Sequence, residues 1–363
     1  MSDPQVSVVL PTYNHIQFLP GAVNSILAQR FVDFELIIVD DGSTDDTSLY
    51  LESIVDPRVR IIRHSRNQRL SAALNTGMRA ARGKFVTWIS ADNLVWPDFL
   101  MRLYAALDMH PECKFAYSQY NVIDGKNNIY DIRSISNYCY RNLFLYFSGC
   151  ASFMYLKNIH HDIGYYDEKL NGAEDYDILI RIFECVKFTY IPYVLLSYRV
   201  HSESMSGSIP DKIIISGRHA IENAISRNNG ILNIIKLYPE ISQCKNKNKA
   251  EYDACLDFGA KILTTRCAKL LINPMFAFKY FYSALRSGIN DHLCIHNIMA
   301  MLACTKNMEK NFHLILDEMQ EYCHHNKEYF MNIYNNYKGK FFVPIIFPDV
   351  DDSEVLSKIM VQA

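Results

Sequence analysis

The first hundred residues alternate between short apolar runs and segments whose apolar residues recur every three or four positions. The predicted strands span residues 6–10, 34–40, 58–63 and 85–89, and helices with apolar faces follow each of them. Continuous apolar runs of this length are typical of strands buried on both faces of a parallel sheet. Residues 5–108 therefore predict βαβ units in a Rossmann-like, mostly parallel open α/β sheet.

The pattern becomes irregular after residue 113 and changes again after residue 208. Strands are predicted at 114–118, 188–191 and 194–200, and a helix opens after Gly172. The apolar stretch 143–156 is interpreted as a core strand, with an acceptor-side wall as the alternative. We expect one domain over residues 1–208 and a helical region over 209–363, because helical periodicity without strand alternation follows a Ser-, Gly- and Pro-rich segment.

Composition argues against nucleic acid as a partner and favours a cytoplasmic location. The 37 basic and 39 acidic residues give a net charge of −2, which argues against nucleic acid as the main partner. Ten cysteines occur without a CxxC pair, as expected of reduced thiols in a cytoplasmic protein. No basic-then-apolar leader precedes Val6, and no apolar run reaches the ~20 residues of a spanning helix, so membrane contact would be peripheral.

Acidic residues follow two of the predicted strands. Asp40 and Asp41 end the second strand, and Asp92 follows the fourth. Helix capping through Asp41-Gly-Ser, with Ser43 or Thr44 as the cap, would explain Asp41 structurally, and a simple turn would explain Asp92. Because ligands of open α/β sheets bind at the carboxyl ends of the strands, Asp41 could instead bind a nucleotide and Asp92 a divalent cation held against phosphates.

Two further positions are candidates for chemistry. Glu174 and Asp175 open a predicted helix, where the macrodipole alone favours carboxylates, but either could act as a general base on a hydroxyl. His201 follows a strand and would matter only if the fold brings it to Asp92.

Taken together, these segments resemble the inverting GT-A fold glycosyltransferases of family 2, which build bacterial polysaccharides from nucleotide sugars. The resemblance covers about residues 5–205 and depends on the ordered set, from the Pro11-Thr-Tyr-Asn and Val39-Asp-Asp-Gly-Ser segments to Glu174-Asp175. It implies a nucleotide-diphosphate sugar donor, with uridine favoured and guanosine or thymidine still open, a glycan or lipid-linked acceptor, and Mn²⁺ or Mg²⁺.

The resemblance also implies roles for individual residues. Asp175 would be the catalytic base, with Glu174 contacting the acceptor, and Asp92 would bind the metal with help from His201. The residues implied in nucleotide binding are Pro11, Thr12, Tyr13, Asp41, Asn67, Arg69, Ala91 and Asp92.

One position departs from the family pattern and keeps rival functions open. Ser90 stands where many members have the first acid of Asp-x-Asp. A non-catalytic nucleotide-sugar-binding scaffold is one rival. A sugar nucleotidyltransferase is another, although the chain lacks the Gly-rich phosphate loop expected after its first strand. The helical region could pack on the catalytic domain, form a homo-oligomer, or dock at the inner face of a membrane.

Overall fold

Strands and helices alternate through the first part of the chain. The structure, a computed structural model, describes residues 3–133, 140–146, 150–170, 172–201, 210–228, 232 and 234–264. The first elements are β1 Val6–Thr12, α1 Leu19–Leu27, β2 Phe34–Asp40, α2 Thr47–Glu52, β3 Val59–Arg63, α3 Leu70–Ala80, β4 Phe85–Trp88, β5 Leu94–Val95 and α4 Phe99–Met109. These bounds confirm the four predicted strand–helix units.

The elements that follow are more varied. They are β6 Cys113–Ile123, β7 Ile129–Arg133, α5 Tyr140–Tyr146, β8 Phe153–Leu156, α6 Ile159–Ile163, α7 Glu174–Cys185, β9 Lys187–Arg199 and α8 Pro210–Arg227. Beyond them lie α9 Ile234–Leu237, a 3₁₀ turn Pro239–Gln243 and α10 Lys247–Thr264. The helices predicted beyond residue 264 lie outside the described residues.

In the described residues the strands form one sheet in the order β3-β2-β1-β4-β8-β6-β9-β5, and β7 pairs with β6. Strands β3, β2, β1 and β4 are mutually parallel, as predicted. Strand β8 is antiparallel to both β4 and β6, which makes β6 and β9 parallel to the first four. The carboxyl ends of β1, β2, β4, β6 and β9 therefore point the same way.

The central strands are buried on both faces, which explains their continuous apolar sequences. Every residue of β1 and β2 is buried. Helix α3 approaches β1 so closely that a Cβ added at Gly77 would lie 2.3 Å from Val9 Cγ1. A glycine is needed there because the helix backbone itself forms the contact with the sheet.

Two sequence predictions differ from the structure in local detail. The apolar stretch 143–156 is not one strand: Leu143 and Phe144 are buried in helix α5, and strand β8 starts only at Phe153. A short apolar run does not distinguish a buried helix from a buried strand. The two strands predicted at 188–200 are one strand, β9, because its pairing with β6 continues through register shifts.

The first compact unit spans Met1–Arg227, and the second begins at Asn228. Helix α8 belongs to the first unit and packs against α7. The division of roles at residue 208 stays a prediction. Among the described residues, none of the helices combines the length and hydropathy that crossing a bilayer requires.

A buried carboxylate on β2 predicts a large stability effect. Glu35 accepts hydrogen bonds from Ser7 Oγ at 2.7 Å, Arg82 N at 2.8 Å and Arg60 Nη1 at 2.9 Å. Burial raises its pKa, but these hydrogen bonds outweigh burial and hold the pKa below the usual value. We expect Glu35→Ala to lower the free energy of unfolding by about 3 kcal/mol, because it leaves buried donors unpaired.

Urea unfolding at neutral pH measures this effect, with Arg30→Gln as the control. The Arg30 side chain is 67% exposed, so its ion pair with Asp98 contributes at most about 1 kcal/mol. Because the pKa of Glu35 is lowered, its contribution is present above the ordinary carboxyl pKa and is lost as pH falls through the folded value. Equal effects of the two substitutions would contradict the prediction.

Candidate active site

The turn after β2 is built by its two aspartates. Asp40 is fully buried, its Oδ1 accepts the Ser43 N–H at 2.9 Å, and its Oδ2 lies 3.2 Å from Arg63 Nε. The prediction that Ser43 or Thr44 caps the next helix is wrong. Helix α2 starts at Thr47, so its N-cap position is Asp46, two residues beyond Thr44, and Asp45 accepts the N–H of Thr47 at 3.0 Å.

Asp41 fixes the loop that follows β3. Its carboxylate is buried and accepts from His64 Nδ1 at 2.6 Å and from the Gln68 N–H at 2.9 Å. Gly42 has φ +76°, and a Cβ there would lie 2.7 Å from the backbone of Arg66. The turn after β2 and the loop after β3 therefore pack against each other, and together they are called the Asp41 unit. The sequence did not single out His64, although its place directly after a strand was a signal.

Two sequence-predicted nucleotide residues, Asn67 and Arg69, are exposed on this unit. Asn67 Oδ1 accepts the Arg69 N–H at 2.9 Å. Arg69 precedes α3 with φ 74° and ψ 168°, a region that only glycine adopts without strain. This strained backbone makes Arg69 a candidate functional residue.

The loop after β1 contacts both neighbouring parts of the sheet edge. Asn14, with φ 55°, accepts the Thr44 N–H at 2.8 Å on the β2 side. Phe18 packs its ring 4.8 Å from the His201 ring and 4.8 Å from the Arg199 guanidinium on the β4 side. This loop therefore connects the Asp41 unit with the surroundings of Asp92.

The remaining residues predicted to bind the nucleotide differ in their exposure and in the groups available for hydrogen bonding. Pro11 is buried, whereas the Tyr13 side chain is 40% exposed. Thr12 is buried, and its hydroxyl has no hydrogen-bond partner among the described residues. Ala91 packs its methyl group in the core, so only its backbone could face a ligand.

Asp92 and His201 are brought together across more than a hundred residues. His201 Nε2 lies 3.2 Å from Asp92 Oδ2. Arg199 donates to the backbone oxygen of Asp92 at 2.7 Å, and the Arg199 N–H donates to Asn93 Oδ1 at 2.9 Å. Asn93 thus anchors this turn to β9. The fold therefore brings His201 to Asp92, which is the condition under which His201 is of interest.

Glu174 and Asp175 form the first turn of α7 in a poorly solvated setting. Glu174 is buried and accepts the Gly172 N–H at 2.6 Å, and burial together with the Asp175 charge raises its pKa to about 7. Asp175 accepts the Tyr176 N–H at 2.7 Å, and burial raises its pKa above the usual value. Asp175 keeps part of its surface exposed, whereas Glu174 does not.

One electrostatic interaction relates Asp175 to the segment just before β8. Burial raises the pKa of the Cys150 thiol to about 12, and the nearby charge of Asp175 adds to the effect. Cys150 lies just before β8, which is antiparallel to β4. Residues before β8 therefore lie where β4 ends, on the same edge of the sheet as the Asp92 turn.

The chain is similar in sequence to proteins of one family. The sequence model of the family described as Glycosyl transferase family 2 matches residues 7–165. An uncharacterized glycosyltransferase, MJ1057 of Methanocaldococcus jannaschii, is 30% identical over 217 residues, which cover 55% of this chain and 72% of the relative. The chain belongs to glycosyl transferase family 2.

Other members of the family differ in length from this chain. An uncharacterized glycosyltransferase of Rickettsia bellii is 29% identical over 218 residues, covering 57% of this chain and 31% of the relative. The chain thus spans about a third of that relative.

The structure of S. aureus TarS residues 1–349 in complex with UDP-GlcNAc aligns with TM-score 0.54 and 15% identity over 92% of this chain and 90% of TarS. That likeness confirms the GT-A fold.

The raised pKa of Glu174 predicts a pH dependence of stability in this member of glycosyl transferase family 2. A carboxyl group with a pKa of about 7 when folded and 4.5 when unfolded stabilises the fold at acid pH and loses that contribution as pH rises from about 4.5 to 7. The free energy of unfolding lost over this pH range is on the order of 3 kcal/mol.

Thermal or urea unfolding of wild type and Glu174→Gln between pH 4.5 and 8 tests this prediction. The glutamine retains an oxygen for the Gly172 N–H but does not titrate, so the stability of wild type relative to the variant should fall as pH rises. A pH-independent difference would show that Glu174 titrates near its ordinary pKa.

Proposed function

We propose that the protein transfers a sugar from a UDP-sugar to a hydroxyl of a glycan or lipid-linked acceptor, with inversion at the anomeric carbon. The pairing of Asp92 with His201 at 3.2 Å in a family 2 chain carries this proposal. In this proposal Asp92 and His201 face the leaving group, and the Glu174–Asp175 pair, near the start of β8, faces the acceptor.

The donor site is proposed on the Asp41 unit and the end of β1. The orphaned Thr12 hydroxyl offers a hydrogen bond to the nucleotide, and the exposed Tyr13, Asn67 and Arg69 offer further contacts. Asp41 acts here by holding the loop that carries Asn67 and Arg69. Uridine is the favoured base, supported by the UDP-GlcNAc complex of TarS.

Asp92 and His201 are proposed to hold a divalent cation. Within the described ranges, no group of three or more His, Cys, Asp or Glu side chains could hold a metal together. A carboxylate beside an imidazole fits a cation whose other ligands come from a diphosphate. The nitrogen ligand favours Mn²⁺ over Mg²⁺, which prefers oxygen. When bound, the cation would stabilise negative charge on the leaving diphosphate.

Asp175 is proposed as the general base. Its partial exposure lets it reach an acceptor hydroxyl, and its raised pKa makes it a stronger base than an ordinary aspartate. Glu174, buried beside it, would contact the acceptor. Since the two acids are adjacent, the acid limb of the rate profile reports the pair rather than either residue.

A panel of UDP-, GDP- and dTDP-sugars with Mn²⁺ and p-nitrophenyl glycosides as acceptors tests the function. Release of nucleoside diphosphate with a glycosylated product of inverted anomeric configuration supports it. Formation of nucleoside triphosphate from pyrophosphate would instead indicate a nucleotidyltransferase. Binding of nucleotide sugar without turnover would indicate a scaffold, the rival suggested by Ser90.

The strained backbone of Arg69 predicts that replacing this residue with glycine raises the stability of the fold and weakens donor binding. We expect Arg69→Gly to stabilise the fold by about 1 kcal/mol or more by relieving its positive φ. The same change should weaken UDP binding about tenfold, because one cationic contact is lost. Calorimetry measures both, with Arg69→Ala as the control that removes the contact while keeping the strain. Unchanged UDP affinity in both variants would remove Arg69 from the site.

The cellular location of the protein and the role of its C-terminal region are also proposals. We place the protein in the cytoplasm, where nucleotide sugars are made, with contact to the inner face of a membrane if the acceptor is lipid-linked. The region after residue 208 is proposed to serve the acceptor or an oligomer.

A further inference from the structure

Helix α8 lies alongside α7 and contacts both ends of it. At one end, Ile213 of α8 reaches Gly172, two residues before α7. At the other end, Arg227 Nε lies 3.1 Å from Glu184 Oε2. The contacts follow the same order along both helices, so the two helices run parallel. Helix α8 therefore reaches the segment that carries the proposed acceptor residues.

The contact between Ile213 and Gly172 leaves no spare room. Gly172 has φ +84°, and a Cβ added to it would lie 2.9 Å from Ile213 Cγ1. Real Cβ atoms do not approach a neighbour so closely. The Ile213 side chain thus occupies the space directly over the Gly172 backbone and restricts its movement.

The Gly172 amide is also the partner of Glu174. Its N–H donates to Glu174 Oε2 at 2.6 Å, and the Glu174 side chain is buried. This carboxylate is therefore held in part by a glycine whose own backbone is conformationally permissive, together with the backbone N–H groups of Ala173 and Glu174. Packing from outside the loop is needed to keep such an amide in one place.

We propose that Ile213 is a positioning residue, which holds the Gly172 amide and through it orients the Glu174 carboxylate toward the acceptor. This inference rests on the proposed function, in which Glu174 contacts the acceptor. It makes α8, which the sequence pattern assigned to the helical region, a part of the acceptor side of the catalytic unit.

The choice of substitutions isolates the contact. Ile213→Ala removes the Cγ1 atom that lies over Gly172, whereas Ile213→Val retains a γ-methyl group there. Ile221→Ala is the matched control, because Ile221 is a buried isoleucine of the same helix, two turns further from Gly172. Assays use the most active UDP-sugar and p-nitrophenyl glycoside from the panel.

We expect Ile213→Ala to raise the acceptor KM, or lower kcat, by about ten- to a hundredfold at an unchanged donor KM. Ile213→Val should restore most of the loss, and Ile221→Ala should leave the acceptor KM unchanged. Hydrogen exchange of the Gly172 amide, which needs no activity, should accelerate in Ile213→Ala but not in Ile221→Ala. Equal behaviour of the two alanine variants in exchange and kinetics would overturn the inference.

A double-substitution cycle with Glu174→Gln separates this inference from the proposed function. If Ile213 acts through Glu174, adding Ile213→Ala to Glu174→Gln should cost little further activity. Additive losses would overturn the inference while leaving Glu174 its role. A Glu174→Gln enzyme with normal acceptor kinetics would instead refute the role of Glu174 and with it the inference, whatever the exchange at Gly172 shows.

Discussion

Asp175→Asn is expected to lower the rate of sugar transfer by about 10²- to 10⁴-fold, while UDP-sugar binding stays within about twofold. Asparagine has the shape of aspartate and can still accept the Tyr176 N–H, but it cannot take a proton from the acceptor hydroxyl. Single-turnover kinetics measures transfer, and calorimetry measures donor binding in the same preparation.

The matched control for this variant is Asp162→Asn, which removes an exposed carboxylate from helix α6. It should leave transfer unchanged. Normal turnover by Asp175→Asn would show that another group is the base. Loss of UDP-sugar binding together with activity would mean that Asp175 serves the donor side.

Asp92→Asn is expected to lower transfer by about 10²- to 10³-fold and to abolish the response to Mn²⁺. A metal ion on a diphosphate stabilises the transition state by several kcal/mol, and the amide that replaces the carboxylate is a far weaker ligand. Titration of Mn²⁺ into the UDP complex measures the affinity directly. Uridine without phosphates should bind wild type and variant equally, since only the diphosphate side is changed.

Two further substitutions sharpen this test. His201→Gln should raise the Mn²⁺ concentration needed for half-maximal activity less than Asp92→Asn does, because the carboxylate carries the charge. Ser90→Asp restores the acid that many family members have and should lower that concentration. Wild-type transfer that persists in excess chelator would contradict the metal role of Asp92.

The order of strands and helices could be predicted from the sequence, because buried positions of each element require apolar residues in a local pattern. Strands β1 and β2 are buried on both faces and therefore apolar throughout, and α1, α3 and α4 show one apolar face each. The same apolar pattern gave a wrong prediction at 143–156, because the buried helix and the buried strand in that stretch are equally apolar. It also missed the continuity of β9, which depends on pairing with β6.

The sequence by itself determined the family, the parallel half of the sheet and the residue types that carry the proposed chemistry. Only the tertiary structure decided which of them meet: His201 with Asp92, Asp41 with His64, and Ile213 with Gly172. The reason is physical, since strand and helix formation depends on neighbours a few residues apart. These contacts join residues from 23 to 109 positions apart and exist only once the sheet order has placed their strands side by side.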